Sequence, residues 1–103
     1  MIDVAPRYLE IIREILKKHI PDNEVRVFGS RVNQTAKKYS DLDLVIAGKT
    51  KLPKKILYAL MDEFEESDLP FRVEIMDWHA IPDNFKKIIK KRYEVIQTAK
   101  TGK

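Results

Sequence analysis

The chain has 103 residues, 44% of them hydrophobic and 35% charged, with twenty Lys and Arg against sixteen Asp and Glu. That length and balance suit one globular domain over residues 1–103 and exclude a disordered tail. No run approaches the ~20 apolar residues of a membrane span, there is no signal-peptide core, and the absence of cysteine excludes disulfides and thiolate metal sites, so a cytoplasmic protein is expected.

The first element is read from Tyr8, Ile12, Ile15, Leu16 and His19, whose spacings of three and four draw one apolar stripe on a helix from about Pro6 to Ile20, ended by Pro21. Val25 to Phe28 is a short β-branched and aromatic run stopped by Gly29, and Ser30 is suited to cap a short helix opening at Arg31. Leu42 to Ala47 is a strand-length apolar run broken by Asp43 alone and closed by Gly48. Its composition predicts a central strand covered on both faces. Ile56, Leu57, Leu60, Met61 and Phe64 return to helical spacing over about Pro53 to Glu66. After Leu69-Pro70, Phe71 to Asp77 reads as a third strand, and Phe85, Ile88, Ile89 and Arg92 give a last helix opening near Pro82. The order α, β, α, β, α, β, α predicts helices packed on a small sheet, an α+β fold built as an α/β-like sandwich.

The net charge of +4 favours anionic partners. Most lysines, however, stand beside glutamates on helical segments, and no aromatic residues interleave with them. A solvated face is expected, and direct nucleic-acid binding is not. The basic stretch from Lys86 to Arg92 reads the same way. Two unpaired histidines, His19 and His79, give no basis for zinc, and Trp78 and Phe71 fit packing better than a nucleotide base.

The chemistry is concentrated in the acids. Strand alternation points Asp41 and Asp43 to the same side with Cα atoms about 6.5 Å apart. Like charges so placed call for a proton, a cationic side chain or a metal ion, and oxygen-only ligands suit Mg²⁺. Asp41 alone also fits ordinary turn chemistry. Asp43, inside an apolar run, must find a partner. Glu74 sits between Val73 and Ile75 and turns to the face opposite theirs, where it joins the aspartates if its strand neighbours theirs; taken alone, it fits better a pair with Arg72 or a lysine on an exposed strand face. Gly29 permits a tight turn and close backbone approach, the amides after it suit an anion, and Arg31 offers a guanidinium for a phosphate.

Phe28-Gly29-Ser30, ten intervening residues, Asp41-Leu42-Asp43-Leu44 and the later Val73-Glu74-Ile75 together resemble the signature of the polymerase-β-like nucleotidyltransferase superfamily, in its minimal MntA-type branch. The resemblance implies a small mixed sheet with helices packed against it. It implies that Gly29 and Ser30 hold the phosphates of ATP, beside the Arg31 guanidinium, which is a nucleotide-binding candidate or a surface residue, and that Asp41, Asp43 and Glu74 ligate two Mg²⁺ ions and carry catalysis. Many relatives have aspartate in place of Glu74 and glycine near Gln34. It also implies a hetero-oligomer with a helical HEPN protein, often an RNase toxin, which the nucleotidyltransferase neutralises as antitoxin by moving AMP to a tyrosine. Two alternatives belong to other classes: a non-catalytic nucleotide-binding subunit acting by docking, and the catalytic half of an aminoglycoside-type small-molecule enzyme.

Overall fold

The structure is a computed structural model and describes residues 1–99. Helix α1 spans Pro6–His19, with proline in its first turn, where no N–H is needed, and Lys17, Lys18 and His19 in its last turn, where cations suit the macrodipole. Strand β1 (Glu24–Phe28) leads through Gly29 into α2 (Ser30–Asn33), a single turn. The helix opens at Ser30 and not at Arg31. Gly29 is the cap, and the serine side chain makes no capping bond. Strand β2 (Leu42–Ala47), helix α3 (Lys54–Glu66), strand β3 (Val73–Asp77) and helix α4 (Asp83–Lys91) follow, with a 3₁₀ turn over Trp78–Ala80.

A fourth strand, β4 (Glu94–Gln97), corrects the expected three. Its local signal is two apolar residues, Val95 and Ile96, beside a basic run. It is a strand because Arg92 is fully extended after the last helix (φ −158°) and because β1 offers a free edge. Gln97 then fastens the α1–β1 connection by donating to the Ile20 and Asn23 carbonyls at 2.8 and 2.9 Å.

The sheet order is β3-β2-β1-β4. β1 is antiparallel to β2 and β4, while β2 and β3 run parallel, so the sheet is mixed as expected. One face carries Val25, Val27, Leu42, Leu44 and Ile46, which pack with Ile12, Ile15 and Leu16 of α1 and Leu60 and Phe64 of α3. Each of these sheet residues is at most 1% exposed. The other face carries Phe28 and Val45 against Ile89 of α4, with Met76, Trp78, Phe85 and Tyr93 around them. Covering on both faces accounts for the near-continuous apolar run of β2. The α4 side covers only part of its face, and the strand ends beyond it carry Asp43 and Glu74.

Phe71 and Trp78 are packing residues. Phe71 is 9% exposed and meets Tyr8 edge to face at 6.0 Å, while Trp78 lies 5.1 Å from the Arg26 guanidinium. His19 is partly buried and bonds Glu63 at 2.6 Å, and His79 bonds the Gly48 carbonyl at 2.6 Å.

Candidate active site

The parallel pairing of β2 and β3 sets Asp43 directly across from Glu74. Because directly paired residues share a face, both carboxylates emerge on the α4 side of the sheet. Asp41 stands two residues before Asp43, just ahead of the strand, where the Leu42 amide donates to the Arg72 carbonyl at 2.9 Å and continues the ladder. The structure therefore brings Asp41, Asp43 and Glu74 together. It also realises the other account of Glu74: Arg72 Nη2 reaches Asp41 Oδ2 at 2.9 Å while its Nε reaches Glu74 Oε2 at 3.1 Å. One guanidinium bridges two of the three carboxylates, and the bond to Asp41, followed by the charges around it, holds its proton more tightly than usual.

Among the described residues Asp43 has no such direct partner. Burial pushes its carboxyl above the usual range, the charges of Asp41 and Glu74 push it further, and Arg72 only partly offsets them. A half-buried carboxyl flanked by two others, with one cation among them, leaves an excess of negative charge.

Gly29 forms the opposite wall. Its φ of 82° and ψ of −153° lie in a region essentially reserved for glycine, and a Cβ there would overlap the Asp43 carboxylate. The turn that begins α2 thus touches the acid at the head of β2, with Ser30 next in the chain.

Arg31 departs from its expected place. It is 6% exposed and turned away from that turn. Its Nε and Nη2 donate to the Ser40 carbonyl at 3.0 and 2.8 Å, Nη1 donates to Asp3 O at 2.8 Å, and Nη2 also meets Lys38 O at 3.3 Å. The guanidinium lies 4.2 Å from the centre of the Phe71 ring. With four of its five N–H donors committed to carbonyls and its guanidinium buried, it is poorly placed for a phosphate, and it holds residues 38–40, which lead into Asp41. Gln34, which closes α2, is left-handed (φ 65°), a conformation glycine adopts at less cost. Asp77, of opposite parity to Glu74, is buried and accepts from Leu52 N and His79 N at 2.6 and 2.9 Å; it anchors loops and stands apart from the acidic site.

The donor set at Asp41, Asp43 and Glu74 is oxygen only and carries surplus negative charge, which suits a hard divalent cation such as Mg²⁺. Among the described residues no three such side chains are already gathered at metal-binding distances; Arg72, bridging Asp41 and Glu74, is the cation present.

Carboxylates on neighbouring strands facing a glycine-held turn are suited to transferring a phosphorus group from a metal-bound polyphosphate, and this defines the class of protein. The family model of the nucleotidyltransferase domain matches residues 9–100. A probable protein adenylyltransferase MntA of Haemophilus influenzae is 45% identical over 96 residues, 93% of this chain and 84% of that protein. Among solved structures, a toxin–antitoxin complex with AMP-PNP superposes with a TM-score of 0.73 at 17% identity, covering 89% of this chain and 74% of that one. An MNT antitoxin in complex with a tri-AMPylated HEPN toxin from Shewanella oneidensis gives 0.66 at 16% identity, covering 88% and 70%. The chain belongs to the nucleotidyltransferase domain family, in its MntA-type branch.

Among the described residues no helix is long and apolar enough to cross a membrane.

Proposed function

We propose that this chain is a cytoplasmic, Mg²⁺-dependent protein adenylyltransferase that acts as the antitoxin of a toxin–antitoxin pair, moving AMP from ATP to a tyrosine hydroxyl of a HEPN-type partner with which it forms a hetero-oligomer. The observation that carries the reading is the register of Asp43 against Glu74 with Gly29 close against Asp43, which supports a phosphate site at the glycine turn beside the carboxylates. The adenylyltransferase name of the relative that is 45% identical supports the reaction, and the AMPylated toxin in one structural neighbour supports the kind of acceptor.

In this reading Gly29 and Ser30 present backbone amides and a hydroxyl to the triphosphate. Asp41, Asp43 and Glu74 would hold two Mg²⁺ ions, which would supply charge neutralisation for the polyphosphate and activation of the attacking hydroxyl. Glu74, the carboxylate on the edge strand β3, takes the acceptor's proton. The acceptor oxygen bonds the α-phosphorus as the bond to the β-phosphate oxygen breaks, and pyrophosphate leaves. Arg72 now bridges Asp41 and Glu74, and those two bonds would have to give way for the carboxylates to hold a metal ion. Arg31 holds the Asp41 loop in place and takes no part in phosphate binding.

The test mixes purified protein, Mg²⁺ and α-labelled ATP with a HEPN-type protein encoded next to it, where the neighbouring reading frame supplies one. Label should appear on the partner and vanish with Asp43→Asn; a partner that stays blank with wild type defeats the reading. The Arg72 bridge favours a second reading, in which the chain neutralises its partner by docking alone. There, an Asp41→Asn, Asp43→Asn double variant would inhibit the partner as well as wild type does.

A further inference from the structure

Among the described residues, strand β3 ends the sheet on one side with no strand beyond it. The Leu42 amide donates to the Arg72 carbonyl, so residues 72, 74 and 76 turn their peptide groups toward β2, and Val73 and Ile75 turn theirs outward, because a strand residue sends its N–H and C=O to the same side. Val73 to Met76 are all half-buried, while most of neighbouring β2 is fully buried. An unpaired edge of this kind is a template for another strand.

Beside the edge lies a groove of about 380 Å³, floored by Met61, Phe64, Leu69 and Val73, with Glu65, Glu74 and the Arg72 that pairs with Glu74 at its rim. Met61 remains 42% exposed there. The groove shares Glu74 with the acidic site and opens on the face of the sheet opposite the carboxylates. Its charge is distinctive. Helix α3 ends on Glu65 and Glu66 with no basic residue in its last turn, whereas α1 and α4 both end on lysines. Acids at a helix C-terminus are opposed by the macrodipole, so the α3 end of the groove, away from the Arg72 that serves Glu74, suits a cation brought from outside.

We propose that the β3 edge is where the acceptor docks: an extended, basic segment of the partner protein pairs with β3 as a fifth strand and presents its hydroxyl-bearing side chain beside Glu74. The proposal rests on the adenylyl-transfer reading and adds to it the conformation and flanking chemistry of the acceptor. An added strand lies about 4.8 Å from β3, and the residue across from Glu74 has its Cβ about 5 Å from that of Glu74, within reach for a tyrosine hydroxyl. The residues before and after it point to the other face, where the groove takes an apolar side chain. The recognised pattern is a hydroxyl residue with an apolar neighbour and lysines or arginines further out, on a loop or terminus and not inside a helix. Main-chain pairing supplies affinity and the groove supplies specificity.

The experiment measures transfer from α-labelled ATP to the partner protein and to two seven-residue synthetic peptides, each with one tyrosine between isoleucines, one flanked by lysines and the other by glutamates. Met61→Glu places a charge in the groove at an exposed position, and Ile75→Pro removes an outward N–H from the edge. Each variant should lower labelling of the partner and of the lysine peptide about tenfold, with binding of a fluorescent ATP analogue within about twofold of wild type. The glutamate peptide should take about a tenth of the label of the lysine peptide. Undiminished labelling by both variants overturns the docking site while leaving the transfer reading intact. Wild type that binds the analogue but labels no protein overturns both. A wild-type dimer that Ile75→Pro turns into monomers puts a second copy of this chain on the edge and also overturns the proposal.

Discussion

Replacing Gly29 by alanine tests the closest contact of the site. At φ 82° and ψ −153° a side chain is strained whatever room it has, at about 2 kcal/mol for a region that residues other than glycine rarely enter. The new Cβ would also overlap the Asp43 carboxylate. Asp43 cannot retreat with its backbone, since β2 is paired on both sides, to Phe28 and to Glu74; it must leave its rotamer, at about 1 kcal/mol. The sum is about 3 kcal/mol, or about 15 °C in Tm for a domain of this size. Thermal melts of Gly29→Ala, Asp43→Ala and the double variant separate the parts. In the Asp43→Ala background the glycine substitution should cost about 1 kcal/mol less, because the strain remains and the collision does not. A Tm loss under about 5 °C, or an equal penalty in both backgrounds, would refute the account.

Three further outcomes follow from the same geometry. Asp43 has a carboxyl raised above its ordinary 3.8 by burial and by Asp41 and Glu74, so the metal-free fold binds that proton more tightly than the unfolded chain and loses stability as pH rises through the folded value. Asp43→Asn should therefore melt above wild type at pH 7 in chelator, with the advantage shrinking below about pH 4; an equal advantage at both pH values contradicts this. Arg31→Met leaves the carbonyls of Ser40, Lys38 and Asp3 without their donor and should cost about 3 kcal/mol in urea unfolding. Arg31→Lys should recover little of it, since an ammonium cannot fork across three acceptors. Glu74→Gln should unfold within about 0.5 kcal/mol of wild type, its side chain being well exposed, yet lose about a hundredfold or more in label transfer. Full activity in that variant would remove Glu74 from the reaction.

The elements legible in the sequence were those whose burial leaves a period. The stripes of α1 and α3 and the dense run of β2 announce themselves because each is packed along most of its length. Glu74 was legible through parity, and its meeting with Asp43 needed only that β3 lie beside β2, which strand alternation cannot decide but the parallel pairing supplies. β4 was not legible: Glu94 to Gln97 buries one side chain fully, Ile96, and its strand character comes from the edge of β1 and not from itself. Arg31 was misplaced for a related reason. A basic residue one position after a Gly-Ser turn looks free for a phosphate, and only the return of the chain through Lys38 and Ser40 reveals carbonyls waiting for it. Local pattern reports which face a residue takes; it does not report which distant backbone comes to meet it.

That buried guanidinium has a bearing on the spacing of the motif. Ten residues separate Ser30 from Asp41, and their loop is exposed over Asn33 to Thr35 and again over Lys37 to Tyr39, a place where insertions are ordinarily tolerated. Here one side chain spans the gap from the start of the loop to its end, fastening Arg31 to Ser40. It works as a ruler. Lengthening the loop before Lys38 could be absorbed as slack, whereas adding or removing one residue between Ser40 and Asp43 would turn the acids to the wrong face of the sheet. The interval between the glycine turn and the aspartates is thus a length set by the reach of a single arginine, and a tag or reporter inserted into the chain belongs in the first half of the loop.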